Sequence, residues 1–212
     1  MLRMPQLQVI QWDFQGRLQM TQRQAMSAAD DEGVQHQGER TWYVYDASGQ
    51  RIRKVTELAS GQVKDERIYL GGFEIYRRQG ANPFVRETLH IMDDKQRIAL
   101  VETRTQGNEP VVPAQLVRYQ FGNHLGSANL ELDDHAQIIS YEEYTPYGST
   151  SYQAVRSQTE SPKRYRYTGM ERDEETGLEY HSARYYMPWL GRWCSSDPVS
   201  YTHLTLPTNR EV

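Results

Sequence analysis

The sequence predicts an all-β protein built of antiparallel hairpins, and three observations carry that reading. Apolar and polar residues alternate in short runs, as in "LQVIQWDF" over 7–14 and "TWYVY" over 41–45. That is the pattern of strands whose successive side chains point to opposite faces. Short polar segments holding Asp and Gly separate the runs, and these residues bond their own backbone or accept a left-handed conformation in turns. Tyr, at 15 residues, outnumbers Phe (4) and Trp (4) together, and its ring suits a surface with one apolar and one wet side. Only 37% of residues are hydrophobic and the mean hydropathy is −0.82. We therefore expect a sheet with two solvated faces and no thick core.

A chain of 212 residues accommodates one domain or two small ones, and no boundary between autonomous domains is visible. The net charge of −4 and pI near 5.9 give no reason to expect a nucleic-acid partner. A single cysteine, Cys194, excludes an intrachain disulfide and a multi-cysteine metal site. No apolar run is long enough for a membrane span, and the N-terminal residues lack the apolar stretch of a signal peptide.

Taken in order, Leu7 to Phe14 reads as a strand, Asp13 to Arg17 as a turn, and Leu18 to Met20 as the start of a return strand. Thr21 to Arg40 is polar and reads as an exposed insertion with weak structure, with a short helix over Gln22 to Ala29 as the runner-up. Thr41 to Thr56 is the clearest hairpin, with Asp46-Ala-Ser-Gly49 as its turn and Gly49 in the left-handed position. Turn centres then fall at Asp13, Asp46, Asp94 and Asp134 with irregular spacing, so internal repetition is considered. Further strands are expected within 66–78, 85–105, 116–134 and 137–150, and surface loops at Gln106 to Pro113 and Gln153 to Pro162.

The chain is organised around its closing stretch, 165–198. Tyr165 and Tyr167 read as one face of a first strand arm, Asp173-Glu-Glu-Thr-Gly177 as a turn, and Tyr180 as the start of the second arm. Tyr185 and Tyr186 alternate in direction, and one of them is expected to be buried together with Trp193. Three local groups are weighed as sites. Asn123-His124-Leu-Gly126-Ser127 reads as a polar turn before it reads as a catalytic or metal site, because His90, His124, His135 and His181 show no ligand spacing. Asp173-Glu174-Glu175 could attract a cation, yet a solvated hairpin tip is the expected role. Cys194 is expected to pack as a small hydrophobe, not to act as a nucleophile.

The words "YTGMERDEETGLEYHSARYYMPWLGRW" and "SSDP" resemble the Rhs-associated core, the C-terminal signature of Rhs and YD-repeat proteins, which include the C components of insecticidal Tc toxin complexes. "YDASGQR", "RYQFGNHLGSANLELDD" and "ISYEEYTPYGSTSY" resemble the same family. The resemblance covers 41–198 well and 7–40 loosely. It divides the chain into a loosely matching hairpin with a polar insertion (1–40), a repeat sheet (41–164), the core signature (165–198) and a non-family tail (199–212). It implies that the hairpins form part of a curled β-sheet shell that encloses a C-terminal toxin.

The resemblance also implies an aspartyl autoprotease, in which Arg184 of "ARYY" and Asp197 of "DP" match family positions. In such chemistry two close carboxylates share one proton, so that one serves as acid while the other activates water. The bland alternative is an Arg184–Asp197 ion pair that closes the last hairpin. The family pattern Asp-Pro-x-Gly is broken by Ser200, the second aspartate is missing, and the tail resembles translated adapter sequence. The natural chain is therefore expected to continue past Pro198, and the chain as given is expected to be inactive. No cofactor or metal is implied. The partners implied are a C-terminal toxin domain in cis and either a Tc B-type component or secretion-spike proteins, with no nucleic acid. Export would follow a route without a signal peptide, to the medium or the cell surface. A cell-surface adhesin or carbohydrate-binding β-repeat protein is the alternative, because exposed Tyr and Trp also suit sugar stacking.

Overall fold

The computed structural model describes residues 4–26, 36–94, 96–107, 113–156 and 162–195. Twelve strands form one antiparallel, curled sheet: β1 (Leu7–Trp12), β2 (Leu18–Arg23), β5 (Arg40–Tyr45), β6 (Arg51–Glu57), β7 (Val63–Leu70), β8 (Phe73–Arg78), β9 (Phe84–Asp93), β10 (Gln96–Gln106), β11 (Gln115–Gly122), β12 (Ala128–Leu132), β13 (Ile138–Tyr144) and β14 (Thr150–Val155). Their order in space follows their order in the chain, so apart from β2 with β5 every pairing is a hairpin between sequence neighbours. Between β2 and β5 lies a two-stranded pair, β3 (Ala25–Met26) and β4 (His36–Gln37). The runner-up helix over 22–29 is thus corrected at its start, which is strand, and its remainder falls outside the described residues. Strand β14 also runs to Val155, into the loop expected from Gln153.

One turn recurs six times and sets the hairpins. In Asp13–Arg17, Asp46–Gln50, Leu58–Gln62, Asn123–Ser127, Asp133–Gln137 and Thr145–Ser149, the first amide donates to the fifth carbonyl at 2.8–3.1 Å and the fourth amide donates to the first carbonyl at 2.9–3.1 Å. Where the first residue is Asp or Asn, its carboxylate or amide oxygen accepts from the third and fifth amides, as at Asp46 from Ser48 and Gln50 at 2.9 Å each. The fourth residue has positive φ, for example Gly49 at 85°. Three of the six, at Asp13, Asp46 and Asn123, read [Asp/Asn]-x-x-Gly-x; Leu58 and Thr145 open two others, and Ala136 takes the positive-φ place in the turn at Asp133. Of the four expected centres, Asp94 belongs to a different turn, and at the fourth the capping residue is Asp133, not Asp134.

Each of these turns is followed by a register shift in the strand pair it joins. Such bulges re-aim the side chain beyond them. At the Asp46 turn, Tyr45 pairs with Arg51 while Val44 pairs with Arg53. Arg51 is thereby turned to the face that carries Tyr43, Tyr45 and Lys54.

The closing stretch forms a second sheet of four short strands, β15 (Glu171–Arg172), β16 (Glu179–His181), β17 (Arg184–Met187) and β18 (Arg192–Trp193), seated against the large one. The Asp173–Gly177 turn is as expected, with Gly177 at φ 73°. The first arm is not. Tyr165 makes only an isolated bridge to Glu171, and Tyr167 enters a 3-10 turn closed by Thr168 and Gly169 at positive φ. This is the same hydrogen-bonded turn again, Arg166 to Met170, and it breaks the alternation.

The apolar core is small: Met4, Leu7, Leu18, Tyr43, Leu178, Tyr185 and Met187. Tyr185 is 2% exposed and lies edge-on to Trp12 and Tyr43. Tyr186 faces the other way and is partly buried, whereas Trp193 is 42% exposed, which corrects its expected burial. The expectation of two solvated faces also fails, because buried polar and charged side chains outnumber buried hydrophobic ones. One face is closed by ion pairs where an oily layer would ordinarily lie.

The turn geometry yields a graded test. Gly49→Val is expected to lower stability by about 1 kcal/mol or more, because φ 85° penalises any Cβ. Gly148→Ala is expected to lower the melting temperature further than Gly49→Ala, because its Cβ also strikes the Tyr167 ring. Equal melting temperatures for the two alanine variants would count against the packing of Tyr167 on the Thr145 turn.

Candidate functional site

The closing segment is held to the large sheet by a buried charge network. Arg51, on β6, donates through Nη2 to Glu171 at 2.6 Å and through Nη1 to Asp173 at 2.7 Å. Lys54, one turn of the pleat further on, meets Asp173 at 2.9 Å and Glu175 at 3.2 Å. Arg164 joins Glu171 at 2.9 Å and Glu74 of β8 at 2.8 Å. Glu74 also accepts from Arg67 at 3.1 Å and from the Tyr165 hydroxyl, and lies 2.9 Å from His90. Farther along the sheet, Arg118 bridges Glu102 and Glu131, and Lys163 and Arg166 both reach Glu142 at 2.9 Å.

Aromatic rings line the same contact. The Arg51 guanidinium carbon sits 4.3 Å from the Tyr180 ring centroid and 5.0 Å from that of Tyr69. Arg51 also donates to the Tyr185 hydroxyl at 3.2 Å, which is 3.0 Å from the Tyr45 hydroxyl, and Tyr45 donates to the Leu18 carbonyl at 2.8 Å. A relay of hydrogen bonds thus runs from the cation to the core.

The electrostatics follow from burial and pairing. Burial pushes Glu171 up, but Arg51 and Arg164 pull harder and bring it down to about 2. Burial pushes Asp173 above its ordinary value even though Arg51 and Lys54 pull it down. Glu74 is driven up by burial and held well below the usual carboxylate range by Arg164, the His90 hydrogen bond and Arg67. The expectation of a solvated tip at Asp173-Glu174-Glu175 is therefore corrected. Glu174 alone is exposed, Asp173 is 0% exposed, and Glu175 is bonded to Lys54 and to the Tyr43 hydroxyl at 2.6 Å.

The remaining candidates fall elsewhere. Gly126 has φ 77° and Asn123 caps its own turn, bonding Leu125 and Ser127 amides, which is the polar-turn role. Cys194 is half-buried against the core and burial pushes its thiol up to about 12, so it is a thiol at neutral pH. Among the described residues one group, Asp133, Asp134 and His135, brings three potential ligand atoms within 4.8 Å. Asp134 and His135 are exposed, while Asp133 is buried and already engaged by Arg156 at 2.8 Å and by two amides.

Arg184 lies on β17 with its guanidinium carbon 4.0 Å from the Trp193 ring centroid. Asp197 lies outside the described residues, so the expected pairing of Arg184 and Asp197 lies outside them too. Sequence reasoning missed Arg51, Lys54, Glu74, Arg164 and Glu171. The available signal was the recurrence of charge at alternate positions, Arg164/Arg166 and Glu171/Asp173, on arms that also carry Tyr.

Fold and site together define an antiparallel hairpin-sheet protein whose own closing segment covers part of one face of the sheet. No family model matches the chain. It is 36% identical over 197 residues to the toxin subunit YenC1 of Yersinia entomophaga, an alignment covering 91% of this chain and 19% of that protein. It is 35% identical over 164 residues to YenC2 of the same organism, covering 74% and 17% respectively. The structure is similar to a chain in the crystal structure of TcdB2-TccC3, with a TM-score of 0.77, 34% identity, and coverage of 92% of this chain and 9% of that one. A chain of the Photorhabdus luminescens Tc holotoxin pore gives a TM-score of 0.77 at 35% identity, over 90% of this chain and 9% of that one. The chain belongs to the Rhs family, in the group of Tc toxin C subunits. It spans about a fifth of the length of the relatives it matches.

The network sets the response to charge removal and to acid. Arg51→Met leaves Glu171 and Asp173 buried without their shared cation, and is expected to cost about 3–5 kcal/mol in a urea melt. Glu171 binds its proton near pH 2 when folded and near its ordinary 4.5 when unfolded. Unfolding therefore takes up protons, and the contribution of Glu171 is complete above pH 4.5 and lost as pH falls toward 2. Stability measured across that window should fall less steeply in Glu171→Gln than in the parent. Parallel curves would show that Glu171 is not the group titrating.

Proposed function

We propose that this chain is a segment of the wall of a Tc C-type toxin subunit, which encloses a C-terminal toxin domain and works with a B-type component. The observation that supports this is the antiparallel meander of twelve strands, covered on one face by the closing segment through buried ion pairs to β6 and β8. We assign 41–164 to the repeat sheet and 165–198 to the closing segment. Delivery to the outside would follow that of the whole toxin.

Within this reading, Arg184 and Asp197 contribute to self-cleavage beyond the closing segment. The guanidinium of Arg184, steadied on Trp193, would stabilise an ionised carboxylate or the carbonyl oxygen under attack. Asp197 would be one of two carboxylates, the second being supplied from further along the subunit.

Grafting residues 41–198 into the matching region of a Tc C subunit tests both parts. The chimaera is expected to co-purify with the B-type component and to release its C-terminal region as a separate band only on denaturation. Asp197→Asn or Arg184→Ala should leave the chimaera in one piece while still bound to that component. Failure to form the complex would overturn the wall assignment, and undiminished cutting in Asp197→Asn would overturn the protease assignment.

A further inference from the structure

The register of the large sheet aligns a row of cations on the face that meets the closing segment. Lys54 of β6 stands opposite Arg67 of β7, Arg67 opposite Tyr76 of β8, Tyr76 opposite Arg86 of β9, and Arg86 opposite Arg104 of β10. Like charges directly opposite across an antiparallel pair are destabilising. Lys54 and Arg67 have carboxylates in contact, Asp173 at 2.9 Å and Glu74 at 3.1 Å. Arg86 differs. Its carboxylate neighbour, Glu102, lies 4.0 Å away through Oε1, beyond hydrogen-bond reach, while its other oxygen, Oε2, accepts from Arg118 at 3.0 Å. The Arg86 side chain is 13% exposed, and its Nε is buried without a hydrogen-bond partner. A buried donor left unmade costs free energy comparable to a lost hydrogen bond, and more on a charged group.

A cavity of about 290 Å³ opens along this row, at the lower end of the size of small-ligand sites. Eight of its lining residues are Arg or Lys and five are Asp or Glu, in a chain whose net charge is −4. Of the three acidic residues that the closing segment contributes, Glu171 is committed to Arg51 and Arg164 and Glu175 to Lys54 and Tyr43, while Glu174 faces solvent. We propose that this cavity binds a small oxyanion, a carboxylate or a phosphate group, with Arg86 as its principal donor and Arg67 and Arg164 beside it.

The donors are preorganised for that task. Tyr76 lies 4.7 Å from the Arg67 guanidinium carbon and 5.6 Å from that of Arg86, and the Phe84 ring lies 5.6 Å from the latter. Rings that hold guanidinium planes reduce the side-chain freedom lost when an anion is gripped. The planar fork suits an acceptor with two or three oxygens in a way that a lysine does not. Burial, with the repulsion of Arg164 and Arg67, makes Arg86 hold its proton less tightly than usual, and an anion in front of it would reverse that effect.

The test uses the full chain, labelled with ¹⁵N-arginine, and two probes titrated separately at constant ionic strength against chloride: inorganic phosphate and glutamate. The Arg86 Nε–H resonance is expected to move saturably with at least one probe, and the melting temperature to rise with it. Arg86→Gln should weaken that binding at least about tenfold, the size of one lost charge-assisted hydrogen bond. Arg53→Gln, on the opposite face and half exposed, should bind as the parent does. A response to phosphate alone or to glutamate alone supports the site and names the source of the oxyanion. No saturable shift with either probe, or equal affinity in Arg86→Gln, would overturn the proposal. Should Arg86→Gln not fold, the parent titration still decides, because a site elsewhere would leave the Arg86 resonance in place.

Discussion

The fold depends on one buried cation. Arg51 is brought to the closed face by the bulge that follows the Asp46 turn, and there it holds two carboxylates of the closing segment, Glu171 and Asp173. Taking it out of water is costly, and the cost is met only because hydrogen bonds and aromatic faces surround it. The pair itself adds little net stability over a hydrophobic substitute of the same shape. What it adds is direction: two nitrogens of one planar group fix both the position and the rotation of the Asp173 turn. An oily interface of equal area would let short strands such as β15 slide. Here the charges exclude a shifted register, because any slip buries an unpaired carboxylate.

The same logic explains why the two carboxylates on Arg51 are not a catalytic dyad. Glu171 lies at about 2 and Asp173 is raised, a divergence of the kind found where acid and base roles are divided. Yet both are fully committed to cations, Glu171 to Arg51 and Arg164 and Asp173 to Arg51 and Lys54. Lys54 and Arg164 hold them from the far side. Their divergence records unequal burial and pairing, and the chemistry we propose for the subunit rests on other residues, Arg184 and Asp197.

Much of the fold was legible because its rules are local. A hairpin needs only alternation and a turn, and [Asp/Asn]-x-x-Gly-x supplies both the capping oxygen and the positive φ within five residues. Asp46 and Gly49 could be read directly. Asp134 was misread because its neighbour Asp133 has the same chemistry and only spacing to Ala136 separates them. Tyr167 was misread for the reverse reason: period two in Tyr165 and Tyr167 mimics a strand, while Thr168 and Gly169 turn the chain. Alternating charges at Arg164/Arg166 and Glu171/Asp173 hinted at a network, but their partners on the large sheet were illegible. Arg51 and Asp173 lie 122 residues apart, and a run such as Asp-Glu-Glu at a turn is ordinarily solvated. Nothing in local pattern distinguishes a tip that meets water from one that meets Arg51. The family resemblance, by contrast, was legible from contiguous words, which is why the kinship was clear where the site was not.

Strand β17 shows how sealing and presentation can share four residues. Its alternation sends Tyr185 and Met187 into the core and Arg184 and Tyr186 to the opposite side. Tyr185 is the first hydroxyl in the relay from Arg51 through Tyr45 to Leu18, so its side chain is fixed by the same charges that seat the segment. Tyr186 donates to the Tyr147 carbonyl at 2.9 Å and packs its ring 5.2 Å from that of Trp193, which in turn carries Arg184. A strand is stiff along its length, so a rotation that misplaced Tyr185 would carry Arg184 with it. The position of Arg184 is thus inherited from the buried network, through the backbone and not through any direct contact with Arg51. A substitution at Arg51 would disturb both faces of β17, whereas one at Trp193 would disturb only the outer face, where Arg184 stands.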